Sequence, residues 1–280
     1  MKDRYTKEDC KHLGELMTNE VKKTIQNGNP NYILLSGGLD SVTSLYALMS
    51  AGADYKAITF YFKGIPSSDK DAVERLQKKI GFDVEYIEIP SDWRIIKDDV
   101  RIAVEDCCKI YERVREVKVE TIFTLNYVDK FIPANCNLFT GDNGDGILGY
   151  NRTMNIMASH LGEDHIRVIR CRKAEDEPDE FKYILDKRHI HKSVYSGDAE
   201  EFLLQFTMKA CNRPQPKAIV AYAYEEYHNK YQSYRSPRPF QKASNEKSLF
   251  NNIAYKEGYK GALQMFNAMH KETLKNAKPH

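Results

Sequence analysis

A serine- and glycine-rich loop near residue 40 follows a short apolar run. The run is Tyr32-Ile33-Leu34-Leu35, and the loop reads Ser36-Gly37-Gly38-Leu39-Asp40-Ser41. Two glycines lack Cβ atoms and let the backbone approach a ligand closely, and the first amides of a following helix favour an anion. The loop therefore predicts a phosphate site of a nucleotide, whose candidate binding residues are Leu34, Ser36, Gly37, Gly38, Asp40 and Ser41.

The carboxylate of Asp40 limits the kinds of ligand that this loop could bind. A carboxylate repels a bare phosphate, so its presence is explained if Mg²⁺ bridges Asp40 to pyrophosphate oxygens. The alternative is an ordinary turn in which Asp40 caps a helix. The loop lacks the Gly-Lys-Ser/Thr of a Walker loop and the third glycine of a dinucleotide fingerprint. The strand, both serines and the following helix together favour a nucleotide site.

A second glycine-rich loop, Thr140-Gly141-Asp142-Asn143-Gly144-Asp145-Gly146, also follows a predicted strand. Parallel strands deliver their carboxyl ends to one edge of a sheet, so both loops are expected to face one cleft. Asp145 is then a second metal-binding carboxylate opposite Asp40. Asp142 is a candidate catalytic residue, and Gly141 a nucleotide contact. A plain turn before a capped helix is the alternative, while an EF-hand is disfavoured by the spacing of the acidic residues.

Alternating strand and helix patterns predict the fold class. Three strands and two helices within about sixty residues are typical of a parallel, doubly wound α/β sheet. We expect residues 1–160 to form an ATP-binding core and 161–280 a mainly helical region that packs on it and completes the site. The predicted helices are 5–27, one that begins near 41, 69–80, 97–118, 147–157, 198–234 and 249–275. The predicted strands are 32–35, 57–62, 84–89, 137–140 and 166–169.

Bulk composition excludes several classes of protein. The net charge of +2 gives no strongly basic footprint for nucleic acid, and no apolar run reaches the roughly 20 residues that cross a bilayer. The first residues lack the apolar stretch of a signal peptide, so a cytoplasmic location is expected. Six cysteines contain no Cys-x-x-Cys pair and no zinc spacing, which predicts reduced and mostly buried thiols.

The motifs resemble those of a known superfamily. Residues 36–41 resemble the Ser-Gly-Gly-x-Asp-Ser loop of the PP-loop ATP pyrophosphatases, and residues 34–41 with the loop at 140–150 resemble the synthetase domain of the asparagine synthetase family, which includes β-lactam synthetases. The resemblance implies an adenine nucleotide alpha hydrolase-like fold, with Phe60 and Phe62 in the nucleotide site. It also places Asp145 on the family's metal-binding aspartate, and Asp142 where the family has a glutamate.

Later motifs match the family less closely. Lys217, Ile219 to Ala223, Arg235 and Phe240 fit its spacing, but Pro237 stands where the family has a pyrophosphate-binding lysine. Arg238 or Lys242 is the candidate replacement, and a solvated basic loop is the alternative. Met1-Lys2 offers no cysteine nucleophile, so we expect no glutaminase domain in this chain. A separate glutaminase partner is compatible with the resemblance.

The resemblance implies a function. The chain is expected to be an ATP- and Mg²⁺-dependent ligase that adenylates a small-molecule carboxylate, releases pyrophosphate and transfers the acyl group to ammonia or an amine. The alternatives are a nucleic-acid-modifying ATP pyrophosphatase, of the thiolation or amidation type, and a nucleotide-binding module without catalysis. The first alternative usually carries Cys-x-x-Cys pairs or an RNA-binding domain, and the sequence shows neither.

Three further groups of residues have a structural and a functional interpretation. The tyrosines between 222 and 234 fit the half-buried face of a packed helix better than a surface that stacks nucleic-acid bases. His189 and His191, beside Lys187 and Arg188, fit a solvated turn better than a site for an acidic substrate. Cys107-Cys108 lies in a helical apolar stripe and fits core packing better than sulfur transfer.

Overall fold

A five-stranded parallel sheet forms the centre of the protein. The computed structural model describes residues 1–148, 179–234 and 244–276, and within them the strands run in the order β3-β2-β1-β4-β5. Their bounds are β1 Asn31–Leu34, β2 Lys56–Phe62, β3 Val84–Ile89, β4 Asn137–Thr140 and β5 Ile190–Ser193. The parallel α/β class predicted from the sequence is confirmed.

The strand order reverses beside β1. The chain proceeds from β1 to β2 and β3 on one side, and β4 then pairs with the other edge of β1, so that Ile33 lies opposite both Ala57 and Phe139. Ligands of open parallel sheets bind outside the carboxyl ends of the strands where such a reversal occurs. The two loops singled out by the sequence follow β1 and β4, and they therefore flank this position.

Helices cover both faces of the sheet. Successive strand residues point to opposite faces. Ile33 and Phe139 accordingly pack in one hydrophobic cluster, and Ile58 and Leu138 pack in the other. The helices are α1 Lys7–Ile25, α2 Leu39–Ser50, α3 Ser68–Ile80, α4 Trp93–Tyr111, α5 Glu116–Asp129, α6 Gly144–Ile147, α7 Glu180–Leu185, α8 Asp198–Leu203, α9 Met208–Cys211, α10 Ala218–Ala223, α11 Glu225–Tyr231, α12 Glu246–Lys256 and α13 Ala262–Asn276.

Three long helices expected from the sequence are interrupted. The predicted helix 97–118 is wrong: α4 ends at Tyr111, because Glu112 adopts a left-handed conformation with φ 57°, and α5 follows. The predicted helix 198–234 is four short helices, α8 to α11. The predicted helix 249–275 is α12 and α13, separated by a turn in which Gly258 has φ 83°. The strand predicted at 166–169 lies outside the described residues, as does the predicted helix 147–157 beyond Leu148.

The strand at residues 190–193 was not expected from the sequence. Residues 190–193 pair in parallel with β4, so a segment assigned to the mainly helical region extends the core sheet. The predicted solvated turn at His189 and His191 is wrong, because β5 places both imidazoles inside the protein, with side-chain exposures of 0% and 5%.

The packing of side chains tests the expectations for the tyrosine run and for the two adjacent cysteines. Tyr227 stacks on Tyr46 with ring centroids 5.0 Å apart, and Tyr224 is buried, which confirms the packed-helix interpretation of the tyrosine run. Cys107 is buried in the core and Cys108 is half-buried. No helix within the described residues is both long and apolar enough to cross a membrane.

Candidate functional site

The first loop is a tight turn between β1 and α2. Gly37 has φ 70°, a left-handed conformation that favours glycine. The two serine hydroxyls of the loop, on Ser36 and Ser41, lie 3.0 Å apart. The Ser41 hydroxyl also donates to the Gly38 carbonyl at 3.1 Å. These hydrogen bonds fix the turn, so that the first amides of α2 face the carboxyl edge of the sheet.

The second loop lies directly against the first. A Cβ atom on Gly141 would be 2.5 Å from the backbone nitrogen of Ser41, closer than real Cβ contacts allow. The hydroxyl of Ser44, on α2, donates to the carbonyl of Thr140 at 2.8 Å. The structure therefore brings the two predicted loops together. Gly141 is required for their backbone contact, whether or not it also contacts a nucleotide.

Asp40 and Asp145 share one cation. The ammonium of Lys217 donates hydrogen bonds to Oδ2 of Asp40 and to Oδ1 of Asp145. Lys217 is only 1% exposed, whereas the Asp145 side chain is 62% exposed. The hydroxyl of Tyr195, which follows β5, lies 3.4 Å from the other carboxylate oxygen of Asp40. The expected convergence of the two carboxylates is thus present, and a lysine joins them.

Lys217 is held by its backbone as well as by its charge. Its backbone has φ 57° just before α10. This left-handed conformation costs free energy for a non-glycine residue, and such backbone strain is often found at functional sites. Its N–H donates to Oδ1 of Asn212 at 2.9 Å. The amide of Asn212 in turn donates to the carbonyl of Leu148, at the end of α6, at 2.7 Å. Asn212 therefore connects Lys217 to the helix that carries Asp145.

The ammonium of Lys217 is stabilised in its charged form. Burial alone lowers the pKa of a lysine, but the two adjacent carboxylates outweigh burial and raise the pKa of Lys217 above its usual value. The group therefore remains a cation at neutral pH, held against both acidic loops.

The carboxylate pair fits a magnesium site. Mg²⁺ is commonly bound by one or two carboxylates together with substrate phosphate oxygens and waters. Asp40 and Asp145 are two such hard donors, from separate loops, converging on one point. Within the described residues no cluster of three His, Cys, Asp or Glu side chains provides a complete protein cage. The donor set therefore suits an ion that enters with a phosphate ligand.

Asp142 lies beside this pair, towards β5. Its carboxylate accepts a hydrogen bond from Thr140 and lies 3.3 Å from Nε2 of His191, and its carbonyl accepts from the hydroxyl of Ser193 at 2.7 Å. Burial would raise the pKa of Asp142, but hydrogen bonds from His191 and Thr140 hold it below its usual value. Burial likewise opposes the charged form of His191, yet Asp142 raises the pKa of that imidazole.

The remaining predicted residues occupy different positions. Leu34 and Phe60 are half-buried at or near the ends of β1 and β2. The ring of Phe62 is fully buried against Phe123, 6.5 Å between centroids, so a nucleotide contact there would use backbone atoms. Arg238 and Lys242 lie outside the described residues.

Sequence reasoning missed several contributors to the site. Lys217 had been matched to a family motif but not assigned to the carboxylate pair, and that match was the only available signal. Tyr195, Asn212 and His191 carry no local motif, because each contributes through a contact with a residue distant in sequence.

Family comparison agrees with this arrangement. A parallel α/β sheet with a Ser-Gly-Gly-x-Asp-Ser loop and an acidic loop beside its switch point is typical of PP-loop nucleotide-binding proteins. The asparagine synthase family model matches residues 12–258, so the chain belongs to the asparagine synthase family. The chain is thus an ATP-using enzyme of the PP-loop ATP pyrophosphatase type, with the adenine nucleotide alpha hydrolase-like fold that the motifs implied.

The solved structures that match the chain are distant in sequence. They include an NH3-dependent NAD synthetase from Campylobacter jejuni at 12% identity, covering 97% of this chain and 98% of that chain with a TM-score of 0.40. An NMN synthetase from Francisella tularensis is 15% identical, covering 82% and 98%, with a TM-score of 0.37. A predicted subunit of tRNA methyltransferase from Methanocaldococcus jannaschii is 18% identical, covering 75% and 93%, with a TM-score of 0.32. Among curated protein sequences, no relative matches the chain.

Proposed function

We propose that the protein is an ATP-dependent amide-forming ligase. It adenylates a small-molecule carboxylate with release of pyrophosphate, and then transfers the acyl group to ammonia or an amine. The observation that supports this most directly is the meeting of Asp40 and Asp145 at one cation, next to the glycine-rich loop that follows β1. Such a pair is suited to the charge that develops when the bond between the α- and β-phosphates breaks.

Each group of residues has a role in this proposal. Amides of the first loop, with Ser36 and Ser41, hold phosphate oxygens. Asp40 and Asp145 would hold Mg²⁺, which when bound would offset negative charge on pyrophosphate. Lys217 supplies a positive charge from a backbone position next to the same two carboxylates. Arg238 and Lys242, named from the sequence, remain candidates for a further cation.

The reaction balances in two steps. An oxygen of the substrate carboxylate attacks the α-phosphorus of ATP, and the bond to the β-phosphate breaks with pyrophosphate as leaving group. The nitrogen of ammonia or an amine then attacks the acyl carbon, AMP departs with the bonding electron pair, and the nitrogen loses a proton. The protein's part is to orient the reactants and to neutralise charge. In this proposal Asp142, on the same loop as Asp145, contacts the nucleotide or the reacting carboxylate.

A product assay tests the proposal. AMP and pyrophosphate are measured with a panel of carboxylic acids, with ammonia or small amines, and with Mg²⁺. Asp40→Asn and Asp145→Asn are each expected to lower the rate about a hundredfold or more, since each removes a charge from the proposed metal site. Asp54→Asn, a change at an exposed aspartate away from the site, is the matched control. Circular dichroism checks that all three variants fold.

The same assay separates the alternatives. AMP formation that requires added RNA would favour a nucleic-acid-modifying enzyme. Unchanged turnover in both aspartate variants would remove the metal assignment, and no AMP with any carboxylate or RNA would favour a binding module without catalysis.

A further inference from the structure

Lys217 occupies the point on which the two acidic loops converge. Its ammonium donates to one oxygen of Asp40 and to one oxygen of Asp145, and the side chain is almost completely enclosed. Asn212 holds the lysine backbone and is itself bonded to the end of α6. The lysine is therefore a built part of the site, because its backbone and its charged end are both fixed to elements that carry the carboxylates.

The ammonium of Lys217 balances the negative charges of Asp40 and Asp145. Gly144 and Asp40 are so close that a Cβ atom on the glycine would lie 2.8 Å from the Asp40 carboxyl, and Asp145 follows Gly144 directly in the chain. Two carboxylates at such a place repel one another unless a cation lies between them. Lys217 provides that cation from within the chain.

A divalent ion requires the same oxygen atoms. Mg²⁺ binds carboxylate oxygens directly at about 2.0–2.1 Å and keeps near-octahedral geometry. An ammonium that donates to those oxygens from between the carboxylates lies where the ion must be. The two cations consequently exclude one another from the shared position.

We propose that Lys217 is an internal counter-ion of the Asp40–Asp145 pair and that a divalent ion enters the site by displacing its ammonium. This inference rests on the metal site of the proposed function. The protein alone binds the ion weakly, because two charge-assisted hydrogen bonds are lost in the exchange. Phosphate oxygens of a nucleotide supply new ligands to the ion and a new partner for the displaced ammonium, so the ion and the nucleotide enter together.

Titration with Mn²⁺, without nucleotide, tests the exchange. Mn²⁺ prefers the same oxygen ligands as Mg²⁺ and is observed by electron paramagnetic resonance. Lys217→Met is expected to bind Mn²⁺ at least about tenfold more tightly than the wild type, because the competing cation is gone. Lys209→Met removes an equal charge from an exposed position on α9, and its affinity is expected to be unchanged.

The outcomes separate this inference from the proposed function. Equal or weaker binding by Lys217→Met than by the wild type overturns the counter-ion exchange but leaves the metal site intact. Absence of Mn²⁺ binding in all three proteins overturns the metal assignment itself, together with the exchange. Equal tightening in Lys209→Met would show a general effect of net charge and would also overturn the exchange.

A measurement on the wild type does not depend on the folding of a variant. Lysine acetylation by acetic anhydride is quantified at each site by peptide mass spectrometry. Lys217 is expected to be protected in the protein alone and to be labelled at least about threefold more when Mn²⁺ is present, since its ammonium leaves the enclosed position. Labelling of Lys209 should stay constant. Constant labelling of Lys217 at saturating Mn²⁺ overturns the inference.

Discussion

Gly144 approaches Asp40 so closely that no side chain can be accommodated between them. A Cβ atom on Gly144 would lie 2.8 Å from both Cγ and Oδ1 of Asp40. The conflict involves the end of a side chain rather than backbone, so relief comes from moving the carboxylate. The glycine thus determines where one half of the proposed metal site is held.

Gly144→Ala is therefore expected to impair activity much more than folding. Displacement of Asp40 should lower the rate of AMP formation by about tenfold or more, because a misplaced charge no longer matches the reacting phosphates. Gly146→Ala on the same short helix is the matched control, since a Cβ atom there meets no described residue within 4 Å. Steady-state kinetics and thermal melting of both variants make the comparison. Equal kinetic defects in the two would contradict this account.

The ion pair of His191 and Asp142 predicts a pH-dependent contribution to stability. The pKa of His191 is raised in the folded protein. The stability that the charged imidazole contributes is therefore fully present below the usual histidine pKa, and it is lost as pH rises through the raised value. The pKa of Asp142 is lowered in the folded protein. The stability that its carboxylate contributes is therefore fully present above the usual aspartate pKa, and it is lost as pH falls through the lowered value. The pair therefore stabilises most between about pH 4 and 6.5.

His191→Asn should reveal this window. The free energy of unfolding is expected to fall by about 1–3 kcal/mol between pH 4 and 6.5, and by less at pH 9. Asp186, 3.9 Å from Nδ1 of His191, and the nearby Asp179 also face the imidazole and add to its raised pKa. His12→Asn, at an exposed histidine of α1, serves as control. Urea denaturation across pH measures both, and a constant difference from the wild type would exclude the ion pair.

Two buried glutamates, Glu120 on α5 and Glu246 on α12, are expected to make the protein less stable as pH rises. Both are fully buried, and both oxygens of Glu120 and one of Glu246 have no hydrogen-bond partner among the described residues. Thr124 donates to the remaining oxygen of Glu246 at 2.6 Å. Burial raises the pKa of Glu120 to about 8, with Glu116 adding to the shift and Lys247 opposing it. The folded protein thus binds more protons than the unfolded chain between the usual glutamate pKa and pH 8, and stability falls as pH rises through that range.

Glu120→Gln should remove part of this loss. The variant is expected to be more stable than the wild type by about 2 kcal/mol at pH 8.5, and the gain should shrink towards pH 5. Glu272→Gln, at an exposed position on α13, is the control. Chemical denaturation at both pH values provides the measurement. A gain that does not change with pH would mean that Glu120 does not bind the extra proton.

Cys136, His189 and Asp129 form a chain of contacts that resembles a nucleophilic triad. Sγ of Cys136 lies 3.4 Å from Nδ1 of His189, and Nε2 of the same imidazole lies 2.5 Å from Asp129. The thiol is fully buried, and burial raises the pKa of Cys136 to about 11, so little thiolate forms near neutral pH. The group also precedes β4, at the end of the strand opposite to the candidate site.

Cys136 is accordingly expected to be inert. Under native conditions at pH 8, Ellman's reagent should modify the half-buried Cys108 before Cys136, with peptide mapping to distinguish the sites. Denaturant should abolish the difference. Faster modification of Cys136 than of Cys108 in the native protein would indicate an activated thiol and would contradict the structural role.

Local signals explain what the sequence could predict. Continuous apolar runs, glycine turns and helix caps are properties of neighbouring residues, and they predicted β1 to β4 and α1 to α3 to within about two residues. The two loops of the candidate site were found for the same reason. Their meeting could be expected because parallel strands deliver their ends to one edge.

Features that depend on tertiary contacts could not be predicted in this way. Residues 190–193 include His191 and Lys192, a polar pattern that becomes a strand only by pairing with β4. The helical pattern after residue 198 continues through positions where the chain turns. One such turn is fixed by Asn212 and the left-handed Lys217. The place of Lys217 between two carboxylates follows from a contact with Asp40 across 177 positions, which periodicity does not encode.

That separation along the chain has a consequence for synthesis on the ribosome. Asp145 is made 72 residues before Lys217, an interval of several seconds at about 5–20 residues per second. During this interval the nascent protein contains both acidic side chains without the basic one that joins them. If the two loops meet before translation delivers the lysine, ions of the surrounding solution or protonation of a carboxylate offset the repulsion, so the electrostatics of this cleft depend on the medium until the polypeptide is finished.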